Sequence, residues 1–392
     1  MFEEIKKLKN EILLKYHEIE TNEYIAGRDQ LSGFVNHAAK KYNVSIEKKE
    51  IRNIQKFYYN DNIIGHLTGL RSSSTRKVAL RLCKNKYNLE KYLENFSIPI
   101  LGSKEFKANE KGAALEYIKK NKEAYFVIKP LSLAGGKGIQ LKVTESNFSE
   151  KWDNCFEVQS ENNIKNKSCL IQPFVDGFDI RVTVIEGRYN AAILRLPAHI
   201  IGDGKKNILE LIDEKNALRK KNPYFRNKLI PINDKLNRQL STYHYSETTI
   251  LNEKEVLVLS DISNLTFGGE SIDITNILSK NIKNTALKAV AAIPGLYTAG
   301  VDIMTIDFEN SDGYIIEINT SGNLSMHHLP LKGEVRYPYF SLMNAYLIKY
   351  KIENRIPINK TERKIFSEIL TFYDTKEMYI SQYMSKCLNI SQ

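Results

Sequence analysis

Three oxygen-bearing side chains in the last third of the chain could hold a divalent cation. Asp302 lies in Val301-Asp302-Ile303-Met304, and Glu317 and Asn319 lie in Ile316-Glu317-Ile318-Asn319. The turn residues Ser311-Asp312-Gly313 between these runs read as a hairpin, and Glu317 and Asn319, two apart on one strand, share a face. Carboxylates among apolar strand residues cost on the order of several kcal/mol unless a cation or basic partner neutralises them. Mg²⁺ suits such hard oxygen donors and completes its shell with water and phosphate oxygens. An arginine paired at the rim would neutralise them equally well, so the hairpin alone leaves both readings open.

A second chemical feature is Leu131-Ser132-Leu133-Ala134-Gly135-Gly136-Lys137-Gly138, which joins two short apolar runs. Gly135, Gly136 and Gly138 let backbone N–H groups approach phosphate oxygens without side chains intervening. No helix and no Lys-Ser/Thr pair follows, so this is not a Walker A loop. Lys129-Pro130, at the end of the preceding run, puts a cation beside the turn. His199 is a candidate base or substrate ligand with a structural role equally open, and His327-His328 follow the candidate metal hairpin. Neither a G-x-S-x-G elbow nor a catalytic-cysteine pattern occurs.

The elements that must position these residues follow from periodicity and turn chemistry. Residues 1 to about 95 read as two helical stretches, a strand at Lys56–Tyr59 closed by Asn60-Asp61-Asn62, and a helix through Val78 to Phe96. Strands follow at Phe126–Lys129, Ile139–Val143 and Cys169–Gln172. Those at Ile180–Ile185 and Tyr189–Leu194 flank Glu186-Gly187-Arg188, a tight hairpin signal. Asn207 is a suitable N-cap, and a helix over Ile282–Ile293 ends at Pro294-Gly295. The tail from about Thr361 reads as an amphipathic helix with Ile365, Ile369, Leu370, Phe372 and Tyr373 on its apolar face, packing on the body or at a homodimer interface.

With 392 residues and 42% hydrophobic content, the chain has material for two or three associated subdomains. Its charged amphipathic start is unlike a signal peptide, and no apolar run reaches the roughly 18 residues of a membrane span, so a soluble cytoplasmic protein is expected. Cys83, Cys155, Cys169 and Cys387 are scattered without a CxxC pair, which fits reduced thiols. The net charge of +11 is spread over helix faces and accompanies no nucleic-acid module. Small anionic substrates are the expected partners, and neither nucleic acid nor membrane is.

Further motifs accompany these: Asn85-Lys86, Phe126-Val127-Ile128-Lys129-Pro130, the run from Gln172 to Arg181, Arg195-Leu196-Pro197-Ala198-His199 through Gly202-Asp203-Gly204, and Gly268 to Thr275. Together with the metal hairpin they resemble the ATP-grasp superfamily of carboxylate-amine ligases, in the branch of cyanophycin synthetase and bifunctional glutathione synthetase, from about Tyr58 to Pro330. The resemblance implies an α+β fold in which two α+β lobes clasp ATP behind an N-terminal pre-ATP-grasp subdomain. It places Lys86 and Lys129 on the nucleotide phosphates, with Lys129 also catalytic, under a lid formed by Gly135–Gly138. Gln172, Pro173, Phe174 and Val175 border the adenine, and Asp179 holds the ribose hydroxyls. Arg181 and Arg195 face the reacting carboxylate and the transferred phosphate, with strand-edge ion pairing open for one of them. Asp302, Glu317 and Asn319 become the magnesium ligands, and His199 and Arg195 the substrate contacts. Asp179 stands where Glu is frequent, and Gln172 where a Glu is common.

The implied chemistry is ATP-dependent joining of a carboxylate, activated as an acyl phosphate, to an amine. Amino acids or small peptides are the expected substrates; a non-amino-acid carboxylate in a tailoring step is the alternative, and a non-catalytic nucleotide-binding module a third. The sequence contains neither the glutamate-cysteine ligase half of the first relative type nor the Mur-ligase-like half of the second, so a stand-alone ATP-grasp protein is expected. The expected divisions are 1–95 for the N-terminal subdomain, 96–175 for the small lobe with the glycine turn, 176–350 for the large lobe with the metal site, and 351–392 for the helical tail.

Overall fold

The computed structural model describes residues 2–24, 33–121, 125–133 and 135–390. Met1, Ala134 of the glycine turn and the last two residues of the tail lie outside the described residues. The chain opens with α1 (Phe2–His17) and α2 (Gly33–Lys41), then a meander of β1 (Ser45–Lys49), β2 (Ile54–Tyr59), β3 (Asn62–Thr68) and β4 (Arg71–Ser72). Asn60 and Asp61, between β2 and β3, both take positive φ, 47° and 61°. A two-residue hairpin needs that pair to match the strand twist, and short polar side chains tolerate it.

Where the apolar period predicts one helix over Val78 to Phe96, the structure has α3 (Lys77–Lys84), α4 (Lys86–Leu93) and a 3₁₀ turn at Glu94–Phe96. Asn85 breaks the helix at φ −106°, ψ 110°, and its side chain accepts the Asn88 N–H at 2.9 Å. Asparagine competes well for orphan helix donors, so a new helix starts here and Lys86 occupies its first turn.

A four-stranded antiparallel sheet follows, built from β5 (Lys104–Lys107), β6 (Phe126–Pro130), β7 (Gln140–Val143) and β8 (Ser168–Pro173) in spatial order β5-β8-β6-β7. The helices α5 (Lys111–Lys119) and α6 (Phe148–Glu161) cover it, burying Ile118, Trp152 and Cys155 against Phe106, Ile128 and Cys169. The glycine turn connects β6 to β7 at the open end of this layer.

The larger sheet has the order β13-β10-β9-β14-β15. Its strands are β9 (Phe178–Ile185), β10 (Arg188–Leu196), β13 (Glu270–Asp273), β14 (Ala299–Thr305) and β15 (Tyr314–Asn319). An insertion between β10 and β13 carries the pair β11 (His199–Ile201) and β12 (Val256–Val258) with α7 (Ile208–Lys221) and α8 (Asp234–Thr242). Asn207 caps α7 in a reciprocal capping box with Glu210. The remaining helices are α9 (Lys280–Ala292), α10 (Ser325–His328), α11 (Pro338–Glu353) and α12 (Lys360–Ile390).

Strand periodicity divides the large sheet into two chemistries. Ile180, Val182, Leu194, Val301 and Ile303 point to one face and join a core with Ile282, Ala286 and Ala289 of α9 and Phe372 of α12. The intervening residues, Asp179, Arg181, Arg195 and Asp302, therefore share the opposite face. The α12 helix packs on the body through Ile369, Phe372 and Tyr379, while Leu370, expected on the apolar face, is 44% exposed. One residue along a helix is a ~100° rotation, and Ile369 already fixes the buried stripe. Among the described residues no helix is long and apolar enough to cross a membrane.

Candidate active site

Cross-strand register builds the centre of the site. Asp302 on β14 lies opposite Arg181 on β9, and Asp179 on β9 lies opposite Arg195 on β10. Opposite charges alternate across three strands of one face, the arrangement cross-strand pairing favours. Arg181 donates from Nε and Nη2 to the two carboxylate oxygens of Asp302, the second bond at 3.0 Å. Arg195 donates from Nε to Asp179 Oδ1 at 3.1 Å, and its Nη2 lies 3.3 Å from Asp302 Oδ1. Gly300 makes this fit, because a Cβ there would stand 2.7 Å from Arg181 Nη1. A glycine in a central strand signals such a close approach and was the available clue.

These charges titrate unequally. Burial acts to raise the Asp302 carboxyl, but Arg181 and Arg195 outweigh it and hold it below its ordinary range. Asp179 is pushed up by burial, with Arg195 opposing and the Asp302 charge adding to the rise. Arg195 is raised further: burial disfavours its charge, and the two aspartates more than compensate.

On β15, Glu317 is the register partner of Asp302, and the Asn319 amide nitrogen is 3.3 Å from Asp302 Oδ2. The strand register thus brings the three predicted ligands together. Glu317 Oε2 is 3.3 Å from Lys86 Nζ, which α4 carries in from the other side. Two carboxylates and an amide form a hard-oxygen set that fits a magnesium ion with phosphate and water completing the shell. Among the described residues no group of three or more His, Cys, Asp or Glu side chains is gathered as a metal site. The carboxylates are neutralised here by Arg181, Arg195 and Lys86, so ion pairing, the alternative reading of the hairpin, is present in this arrangement.

Lys129 projects from β6 and is only 5% exposed. Its ammonium is pushed down to about 8, first by burial and then by the Lys86 charge, with Glu90 and Glu317 opposing. Among the described residues it makes no hydrogen bond or ion pair at contact distance. Beside it the turn residues Gly135, Gly136 and Gly138 take φ of 70°, 77° and 72°, the left-handed region that glycine enters without a Cβ penalty. The turn is fastened to the large-lobe insertion by Asn264 Nδ2, which donates to Gly135 O at 2.7 Å. This contact joins residues far apart in sequence and left no local signal.

Gln172 and Pro173 end β8, and the Phe174 N–H donates to Tyr125 O at 2.7 Å. The buried Gln172 amide donates to Ser103 Oγ at 3.2 Å. Asp179 falls within the Arg195–Asp302 cluster and its carboxylate is engaged there. His199 does not join that cluster. It is buried on β11, its Nδ1–H donating to Pro197 O at 2.9 Å, and it is pushed down to about 4 by burial and by Lys215.

Of the two adjacent histidines, His327 approaches the cluster: its Nε2 is 2.6 Å from Thr183 Oγ1. Burial and then the Arg181 charge push it down to about 3. His328 instead stacks between Phe34 and Tyr339, at ring separations of 4.1 and 5.3 Å, which is packing.

Comparison with known proteins places the fold. The glutathione biosynthesis bifunctional protein GshAB of Streptococcus thermophilus is 29% identical over 69% of the chain, and the cyanophycin synthetase of a Synechocystis strain is 29% identical over 73%. The chain spans about a third of the length of these relatives, 36% and 33% respectively. The crystal structure of a bifunctional glutathione synthetase from Pasteurella multocida superposes with a TM-score of 0.61 at 22% identity, covering 82% of this chain and 45% of that one, and shows a shared fold. The family model described as the ATP-grasp domain matches residues 83–321, from the end of α3 to just past the metal hairpin, and with more than half of its length matched the chain belongs to the ATP-grasp family, whose ligases use ATP and Mg²⁺.

Proposed function

We propose that this protein is an ATP-dependent carboxylate-amine ligase that forms an amide bond through an acyl phosphate, releasing ADP and phosphate, with amino-acid or small-peptide substrates. The observation that carries the reading is Lys129, a buried cation with no contact partner among the described residues, set beside a glycine turn and facing Lys86 and the acidic hairpin. A desolvated lysine of this kind is stabilised by an incoming anion, and nucleotide phosphate supplies one. The curated relatives, named for glutathione and cyanophycin synthesis, support amide bond formation.

In this mechanism Lys86 and Lys129 hold the β- and γ-phosphates, and the backbone N–H groups of Gly135–Gly138 close over them. Asp302, Glu317 and Asn319 would hold magnesium, which neutralises phosphate charge when bound. Arg181 and Arg195 orient the substrate carboxylate. Its oxygen attacks the γ-phosphorus, the β–γ bridging P–O bond breaks, and ADP leaves with the electron pair. The amine nitrogen then attacks the acyl carbon, the C–O bond to phosphate breaks, and the amine proton passes to solvent. Electrostatic positioning accounts for most of the acceleration, and no covalent nucleophile from the chain is required.

Glu317→Ala tests the reading. It should reduce magnesium-dependent ADP release at least 100-fold while the protein stays folded by circular dichroism. Unchanged turnover would remove the hairpin from the mechanism.

A further inference from the structure

A cleft of about 460 Å³ opens between the glycine turn and the large-lobe insertion. Gly135–Gly138 form one wall. The other walls are apolar, built chiefly from Ile139, Ile230, Leu236, Leu259, Ile262 and Phe267. No carboxylate lines the cleft among the described residues, and Lys137 and Lys235 are its charged groups. Phe267, on a 3₁₀ turn at Leu265–Phe267, is 52% exposed and presents part of its ring to this cleft.

The position of this cleft suggests its occupant. Strand β10 ends one residue past Arg195, and the chain reaches the cleft wall at Ala198, three residues from Arg195 and so at most ~10 Å along the backbone. Neither Arg181 nor Arg195 lines the cleft itself, so a molecule whose carboxylate meets Arg195 reaches it only with a body that spans this separation. The adenine is expected against residues 172–175, none of which lines it. The Asn264–Gly135 hydrogen bond ties the two walls together, so closing the phosphate turn also shapes the cleft.

We infer that this cleft receives the body of the carboxylate substrate, and that the substrate class is an acid bearing a bulky aliphatic or aromatic group. This rests on the ligase reading above. An apolar body matches the walls, an anionic end matches the Arg181 and Arg195 cations, and the absence of lining carboxylates suits no cationic side chain. Lys137 and Lys235 are both exposed, and a second carboxylate carried past them would have to leave water for a largely apolar surface, which costs affinity.

The test uses the full chain with ATP, Mg²⁺ and hydroxylamine as a general amine acceptor, so that hydroxamate reports any activated acid. Phenylalanine, leucine and 3-phenylpropionate are compared with aspartate, glutamate and acetate. Expected is a kcat/KM at least tenfold higher for the apolar acids. Phe267→Asp should raise their KM about tenfold with the ATP KM unchanged, and Phe267→Leu should restore it. Preference for the acidic or short acids, or an apolar-acid KM indifferent to Phe267→Asp, overturns the assignment.

Calorimetric binding of 3-phenylpropionate, in the presence of Mg²⁺ and a non-hydrolysable ATP analogue, separates the two claims. If no acid yields hydroxamate, the ligase reading fails. Binding that Phe267→Asp abolishes would still uphold the cleft, and no binding to the unaltered protein would overturn it.

Discussion

At the scale of single residues, the account turns on Lys129. Its ammonium, pushed down to about 8, faces Lys86, Glu90 and Glu317, and phosphate binding must favour the protonated form. ATP affinity should therefore be level below about pH 8 and fall roughly tenfold per pH unit above it. Titrating ATP binding between pH 6.5 and 9.5 checks this, and Lys129→Arg, charged throughout, should remove the alkaline fall; a level profile for the unaltered protein would contradict the role. Stability without nucleotide has the opposite sign. Because the folded pKa lies below the ordinary 10.5, the unfolded chain holds more protons between about 8 and 10.5, and this lysine contributes increasing stability as pH rises through that window. Lys129 and its glycine turn were legible because both signals are local. His327 was not: its bond to Thr183 links residues 144 apart in sequence, and a histidine after a hairpin has no pattern of its own.

At the scale of elements, the strands were read more reliably than the helix ends. The β9–β10 hairpin and the β14–β15 pair follow from alternation and turn residues, and alternation also put Asp302, Glu317 and Asn319 in reach of one another. The break at Asn85 was hidden because the apolar period continues across it, although Asn before Lys86 is a cap signal. The seating of α12 depends on a contact that no local pattern carries. Lys376, 3% exposed, donates to the carbonyls of Val290, Ala291 and Ile293 at 3.2, 2.9 and 2.6 Å, closing the C-terminal end of α9. A cation at a helix C-terminus meets both the orphan carbonyls and the dipole. Lys376→Met keeps the apolar stem and leaves those carbonyls unsatisfied, so it should cost about 2–3 kcal/mol. Chemical denaturation would register this as a lowered midpoint, whereas an unchanged midpoint would show that α12 is held by its apolar face alone.

At the scale of the whole molecule, the N-terminal sheet is joined to the large sheet by buried polar contacts that only the folded chain reveals. Glu186, in the β9–β10 turn and 0% exposed, accepts from Ser72 at 3.0 Å, from Ser74 at 2.6 Å and from Thr298 at 2.8 Å, and pairs with Lys349 of α11. Burial acts to raise its carboxyl, but Lys349 and the hydroxyls of Ser74 and Thr298 outweigh it and hold it below the ordinary range. The N-terminal sheet is thereby fastened to the large sheet and to α11, while α1 reaches the lobe junction through Lys9, which pairs with Asp176. The turn residues Glu186-Gly187-Arg188 marked a hairpin, but nothing in them marked a buried hub. These ties hold the β9–β10 and β14–β15 strands, with their arginines and the candidate metal hairpin, in one frame. The central claim, activation of a carboxylate by γ-phosphoryl transfer, is tested most directly by supplying an ¹⁸O-labelled carboxylate substrate with ATP and an amine and analysing the products by mass spectrometry. The account predicts ADP, with one ¹⁸O carried into inorganic phosphate for each amide formed. Label recovered in AMP, with pyrophosphate released, would contradict it.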